Sequence, residues 1–294
     1  MPGLSEDARA KVNLTLRVLG RRADGYHDLV SLVAFADCAD RLTLEPGSDA
    51  SLAINGPGGN DCGAVSDNLV LKAARLLAER VPGLQLGAFT LDKRLPVAAG
   101  IGGGSADAAA ALRLLARLNA LAPDDPRIMD AARATGADVP VCVASRSAIM
   151  TGIGEQLSPV CAPRMACVMV NPRVPVATAE GFSALGLRKG EILTGVVDVV
   201  RSRKWPAEDS PVEEWLKALA HAANDLEAPA IKIQPVIGEV LSGLRDLAGV
   251  RLARMSGSGA TCFALFDTEA EAAAAGQALQ ASHPQWWVHA GTLN

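Results

Sequence analysis

Aromatic side chains are scarce, at 3% of 294 residues, with one tyrosine, four tryptophans and five phenylalanines. Proteins that hold nucleic acid set aromatics among lysines and arginines on a basic surface. No such stripe occurs here, which argues against nucleic acid as the main partner. The core must be built from Leu, Val, Ile and Ala, and an aromatic beside a polar motif gains significance. The six cysteines (Cys38, Cys62, Cys142, Cys161, Cys167 and Cys262) show no C-x-x-C spacing and no histidine-rich neighbourhood. They read as small buried hydrophobes or free thiols in a reducing compartment. Long apolar runs are missing too: the stretch 165–170 falls far short of the about 20 residues a membrane-spanning helix needs. Glu6 and Asp7 stand where a secretory leader would have an apolar segment, so the expectation is a cytoplasmic protein without a membrane partner.

What is present fits a packed protein. Hydrophobic residues make up 49% and charged residues 20%, and the mean hydropathy is +0.20. The length suits two domains of ordinary size. Net charge is −4, so a site for phosphates would have to gather positive charge locally. Arg21-Arg22 and Lys93-Arg94 are the basic pairs available for that, although such pairs also decorate ordinary solvated surface.

Periodicity predicts strands at 12–19, 29–35, 41–45, 51–54 and 89–93, and a helix over 68–80 with Leu69, Ala73, Leu76 and Leu77 on one face. The clearest helix covers 105–118: Ser105 is a natural N-cap, Asp107 sits in the first turn, and Ala111, Leu112, Leu115 and Leu118 share a face. A second helix over 127–135 stops at Gly136. Strands follow at 148–154 and 166–170, on either side of Pro159 and Pro163. That proline-bearing stretch marks the expected domain boundary, giving domains 1–160 and 161–294. Beyond it the pattern predicts helices at 212–223, 233–247 and 269–281 and strands at 262–266 and 286–290. Strands and helices do not alternate regularly, which favours the α+β class.

The strongest chemical signal is Pro96-Val97-Ala98-Ala99-Gly100-Ile101-Gly102-Gly103-Gly104-Ser105-Ala106, between a strand and the clearest helix. Glycines let backbone N–H groups approach an anion, and a helix start adds unsatisfied donors and a positive dipole end. Two familiar phosphate loops are excluded: no lysine follows the glycines, and Ser105 stands where G-x-G-x-x-G requires its last glycine. The latter failure also disfavours a dinucleotide-binding oxidoreductase. Near the N-terminus, Ala10-Lys11-Val12-Asn13-Leu14 puts Lys11 and Asn13 on one face of a strand, as an ordinary surface strand also would. Arg22-Ala23-Asp24-Gly25-Tyr26-His27 sets the only tyrosine beside one of four histidines, a pairing suited to a heterocycle or to a polar turn. Thr135-Gly136-Ala137-Asp138-Val139-Pro140 offers a carboxylate that is either a general base or a helix cap. Arg254-Met255-Ser256-Gly257-Ser258-Gly259-Ala260-Thr261 is a second glycine-rich turn before an apolar strand.

In order and content these segments resemble the GHMP kinase superfamily, whose three signature regions correspond to the Lys11 segment, the 96–106 loop and the 256–261 turn. Asp67-Asn68-Leu69 and the strings ending in His27 and Pro140 narrow the resemblance to a branch whose substrate carries cytidine diphosphate. The resemblance runs from residue 10 to the C-terminus, strong through Pro140 and patchy over 185–247. It implies a two-domain α+β fold with the active site in the cleft between domains, and ATP-dependent phosphorylation of a hydroxyl on a small metabolite. Lys11 and Asp138 would form the catalytic pair, and Pro96 to Ala106 would wrap the ATP phosphates. Asn13, Tyr26 and His27 would face the substrate, with Phe182 as the opposite aromatic wall. Mg²⁺ is expected with the nucleotide. Its ligands are left open, because Ala106 stands where relatives usually carry a second serine. Two neighbouring readings are another small-molecule kinase of the superfamily and a non-catalytic nucleotide-binding protein on the same fold.

Overall fold

The computed structural model describes residues 3–202 and 204–294. The chain packs as two compact units that interleave along the sequence. The first contains Met1–Lys11, Cys38–Val97 and Gly102–Ser145, and the second contains Val12–Asp37, Ala98–Ile101 and Arg146–Asn294.

In the first unit, β1 (Leu4–Asn13, as far as Lys11) pairs with the distal part of β3 (His27–Gly47). That part of β3 pairs antiparallel with β5 (Leu86–Asp92), which runs parallel to the edge strand β4 (Ser51–Asn55). Four helices accompany these strands: α1 (Leu69–Arg80), α2 (Gly103–Leu118), α3 (Pro126–Thr135) and α4 (Val139–Ala144). α2 lies at the centre because its sequence permits it. Ala108 to Ala111 present little bulk on every side, and all four are fully buried, as are Leu112, Leu114 and Leu115. A helix apolar over most of its circumference belongs in an interior, and α2 packs against α1, α3 and α4 there. Asn68 caps α1 by accepting from Val70 N at 2.9 Å, and Asp125 caps α3 by accepting from Arg127 N at 3.0 Å.

In the second unit, β2 (Arg17–Arg21) and β6 (Ala148–Gly152) flank the first part of β3, and β7 (Gln156–Pro159) extends β6. A fully buried strand, β8 (Met165–Asn171), runs antiparallel to β10 (Cys262–Phe266) and β11 (Trp287–Leu293), with β9 (Leu252–Met255) beyond β10. The helices are α5 (Thr178–Ser183), α6 (Thr194–Ser202), α7 (Val212–Ala220), α8 (Glu227–Ile233), α9 (Val236–Arg245) and α10 (Glu269–Ser282). Val168, Val170, Ile237, Val240, Leu241 and Phe266 centre one apolar cluster. Arg254 is buried beside it and donates to the carbonyls of Leu14, Leu219 and Ala222 at 2.7, 3.0 and 2.7 Å. Its place in the second glycine motif is therefore structural.

Four sequence expectations change. The strands expected at 29–35 and 41–45 are one strand, which runs through the weak strand formers at 36–40 between its pairing with β6 and its pairing with β5. The strand expected at 12–19 breaks after Asn13, where Leu14 N and Thr15 N both donate to Leu32 O. The helix expected at 233–247 starts only at Val236, because Gln234-Pro235 separates it from α8, which ends at Ile233. Finally α2 starts at Gly103, inside the glycine run, with Gly102 in the left-handed region at its N-cap.

Candidate active site

Lys11 and Asp138 meet. β1 carries Lys11 into the first unit, where it is 3% exposed, and its Nζ lies 2.9 Å from Asp138 Oδ2. Asp138 does occupy the N-cap position of α4, but its side chain makes no capping hydrogen bond. The carboxylate is turned to the lysine instead and stays 38% exposed. A buried ammonium thus fixes a carboxylate that remains reachable from solvent. Cys142 lies one turn further along α4. Burial, then the negative charge of Asp138, push its thiol up to about 12, so it is no nucleophile.

The 96–106 loop contributes Pro96, Val97 and Gly102 to Ala106 to the first unit and Ala98 to Ile101 to the second. Gly102 has φ +64°, and a Cβ there would sit 3.0 Å from Lys11 Cε. Glycine is required twice over, for the backbone angle and for the lysine stem. The first helical bond of α2 runs from Ala106 N to Gly102 O at 2.8 Å. The N–H groups of Gly103, Gly104 and Ser105 consequently have no helical acceptor. Gly104 is exposed, and a Cβ on it would meet only Leu69 Cδ1, at 3.7 Å. Ser105 lies in the first turn and is not the N-cap. Ala106 is buried and faces the interior.

The basic pairs expected to serve phosphates are engaged elsewhere. Arg22 pairs with Asp28 at 2.6 Å and Arg94 with Asp92 at 2.6 Å. Arg21 donates to the carbonyls of Gly25 and Leu187. Lys93 is buried, with its Nζ 2.6 Å from both Asp40 Oδ2 and Asp107 Oδ2. Asp107, expected as a first-turn acid facing the helix dipole, is instead 2% exposed and part of this cluster. Asp40 has donors on both oxygens, since its Oδ1 also accepts from Arg94 N and Leu95 N at 2.6 and 2.8 Å. Asp107 Oδ1 has no hydrogen-bond partner among the described residues. Burial raises the Asp107 carboxyl to about 7 against the opposing pull of Lys93.

In the second unit Asn13 Nδ2 donates to Ser31 Oγ at 2.7 Å, and Ser31 Oγ donates to Thr15 O at 2.5 Å. Asn13 N donates to Ser256 Oγ at 3.0 Å, and Ser256 Oγ donates to Gly100 O at 2.9 Å. Gly100 and Gly257 pack backbone to backbone; a Cβ on Gly257 would lie 2.7 Å from Gly100 O. Two glycine-rich segments distant in sequence are thereby locked together around Asn13. The His27 and Phe182 rings stack, with centroids 4.8 Å apart and 22° between planes. Burial, then the charge of Arg21, lower the His27 pKa, which favours the neutral imidazole. Tyr26 is 61% exposed and makes no ring contact among the described residues; Asp24 Oδ1 accepts from its N–H at 3.0 Å. Sequence reasoning marks Lys93 and Asp107 separately but misses Ser31 and Asp40, which sit in no recognisable pattern.

Known proteins carry the same organisation. The family description "GHMP kinases N terminal domain" matches residues 68–146 and "GHMP kinases C terminal" matches 210–285. A 4-diphosphocytidyl-2-C-methyl-D-erythritol kinase from Bradyrhizobium diazoefficiens is 67% identical over 294 residues, covering 100% of this chain and 99% of that one. The chain belongs to the GHMP kinases. A second kinase of the same name, from Rhodopseudomonas palustris (strain HaA2), is 65% identical over 291 residues, covering 99% of this GHMP kinase and 98% of the relative. Among solved structures, the "Crystal structure of 4-(cytidine 5'-diphospho)-2C-methyl-D-erythritol kinase" matches with TM-score 0.73 at 37% identity, covering 99% of both chains. Homoserine kinase from Cytophaga hutchinsonii also gives TM-score 0.73, at 18% identity and covering 100% and 96%. That second likeness speaks for the fold alone. No helix among the described residues of this GHMP kinase is long and apolar enough to cross a membrane.

Two outcomes follow from the geometry. Gly104→Val adds bulk on the exposed side of the first turn and should raise the KM for ATP at least about tenfold, the effect of losing roughly 1.4 kcal/mol of binding. Gly103 is a poorer probe, because a Cβ there would press on Lys93 Nζ at 3.2 Å. Steady-state kinetics with varied ATP decide this; an unchanged KM would remove the turn from the phosphate site. The second outcome concerns pH. A carboxyl that holds its proton more tightly in the fold than in the unfolded chain adds stability that is complete below its unfolded value of about 3.9. That stability is lost as pH rises through about 7. Relative to Asp107→Asn, which does not titrate, the wild type should therefore lose unfolding free energy between pH 4 and 7, read by urea denaturation across that range. A constant difference would contradict the assignment.

Proposed function

We propose that this chain transfers the γ-phosphoryl group of ATP to the 2-hydroxyl of 4-diphosphocytidyl-2-C-methyl-D-erythritol, giving the 2-phosphate and ADP in the non-mevalonate route to isoprenoid precursors. The observation that carries the chemistry lies in the first unit: the start of α2 rests on Lys11, and Lys11 holds Asp138. Backbone donors, an ammonium and a reachable carboxylate are the parts phosphoryl transfer needs, because positioning and charge stabilisation do most of the work. The identity of the acceptor follows the curated relatives at 65% and 67% identity.

Asp138 accepts the proton of the attacking hydroxyl as its oxygen bonds to the γ-phosphorus. The bond from that phosphorus to the bridging oxygen breaks, and ADP leaves with the electron pair. Lys11 sits beside the carboxylate and offsets charge on the attacking oxygen and the transferring group. The N–H groups of Gly103, Gly104 and Ser105 receive the phosphates, within a loop running from Pro96 to Ala106. Among the described residues no three His, Cys, Asp or Glu side chains cluster to cage a metal. Mg²⁺ would come with the nucleotide and would offset phosphate charge, and Ser105 is the one hydroxyl-bearing residue of the loop that could help to hold it. Residues 1–160 thus supply the phosphate loop and catalytic pair, and 161–294 supply Phe182. Asn13 is held by Ser31 with its amide oriented for the acceptor. Tyr26 stacks on the cytosine, the neutral His27 hydrogen-bonds its edge, and Phe182 closes the aromatic wall. ATP and a small anionic acceptor are the partners, in the cytoplasm.

A non-catalytic nucleotide-binding protein has no use for the Lys11–Asp138 pair, which is formed here. An ADP-release assay with diphosphocytidyl-methylerythritol, mevalonate, homoserine and galactose tests the acceptor. Turnover with the first alone is expected; turnover with another, and none with the first, would overturn the assignment. Tyr26→Ala should weaken acceptor binding about five- to hundredfold, the scale of a lost base–aromatic stack of about 1–3 kcal/mol. ATP affinity should hold, and equal losses for both ligands would make Tyr26 structural.

A further inference from the structure

The Lys93–Asp40–Asp107 cluster is costly and sits where it could matter. Two carboxylates and one ammonium are nearly fully buried, and one carboxylate oxygen lacks a partner among the described residues. Buried ion clusters seldom raise stability over well-packed apolar residues, so their retention calls for a geometric reason. Here the cluster grips both ends of the phosphate loop. At the entry, Asp40 Oδ1 takes the N–H groups of Arg94 and Leu95, immediately before Pro96. At the exit, Asp107 takes Lys93 Nζ, and Gly103 lies one turn earlier on the same face of α2. A Cβ on Gly103 would stand 3.2 Å from Lys93 Nζ and 3.8 Å from Asp40 Oδ2, so the first turn of α2 rests directly on the cluster.

We propose that Asp107 is a positioning residue for ATP: through Lys93 and Asp40 it clamps the entry and exit of the 96–106 loop and presets the N–H groups of Gly103 to Ser105. Pre-organising the loop removes ordering cost from the binding step, so the effect belongs to ATP affinity and spares the acceptor and the chemical step. This inference rests on the assignment of the first turn of α2 to the phosphates.

The test compares Asp107→Ala with Asp107→Asn in the full chain. Alanine favours the helix and leaves a neutral Lys93–Asp40 pair, but it releases α2 from Lys93. Asparagine keeps an oxygen to accept from Lys93 Nζ. For the alanine variant the KM for ATP should rise at least about tenfold, with the acceptor KM and kcat at saturating ATP within about threefold of wild type. The asparagine variant should restore the ATP KM to within about threefold of wild type. Hydrogen exchange at 103–106 should speed up in the alanine variant only. The proposal fails if the alanine variant keeps the wild-type ATP KM, if both KM values rise together, or if asparagine rescues nothing. It fails as well if the alanine variant does not fold, since Asp107 would then hold the whole helix and not its first turn. Failure of the underlying phosphate assignment is separable, because Gly104→Val would then leave the ATP KM untouched whatever stands at 107.

Discussion

Three successive backbone N–H groups can meet a phosphate only if no side chain stands before them and something behind them holds the turn still. Gly103 and Gly104 meet the first condition at the start of α2, where the left-handed Gly102 turns the chain into the helix. The second condition needs more than glycine, whose freedom works against order. The buried Lys93 cluster below and the alanine-rich packing of α2 against its neighbours supply it. The start of α2 is thus open on its exposed side and fixed on its other side.

The same unit sets the proposed catalytic pair. Gly102 leaves room for the Lys11 stem, and Lys11 turns Asp138 away from the cap it is placed to make. An aspartate at a helix start that declines to cap has given up about 0.5–2 kcal/mol of local stabilisation. Sacrificing a local preference at one residue is what a functional site does when the surrounding fold can carry the cost. In the second unit, Asn13 shows the opposite strategy, with its amide tied by Ser31 and its backbone by Ser256.

Much of this was legible in the residues. Strand 262–266 and the helix over 127–135 follow from local pattern, and the glycine run, the Lys11 segment and the Asp138 turn are strings with physical meaning. Read from its own neighbours Asp138 favours the cap, because Asp before a Val-Pro start is a good N-cap, and only the resemblance implies a base. Lys93-Arg94 misled for a related reason: composition shows a charge but not its partner, and Asp40 lies in a stretch with no distinguishing pattern. The continuity of β3 and the interleaving of the two units are tertiary outcomes, set by which strands pair and not by the propensity of 36–40. The start of α2 was misplaced by two residues because a serine cap is a better local signal than a left-handed glycine.

In the proposed mechanism Lys11 and Asp138 act as one unit on the transferring phosphoryl group. A double-mutant cycle on turnover, using Lys11→Met, Asp138→Asn and the pair, tests it most directly. Asparagine preserves an oxygen for Lys11 but cannot take a proton, so each single variant should lose about 10²–10⁴ in kcat. The double variant should lose far less than the product of the two, as groups acting together do. Near-normal turnover of Asp138→Asn, or losses that simply multiply, would contradict the claim.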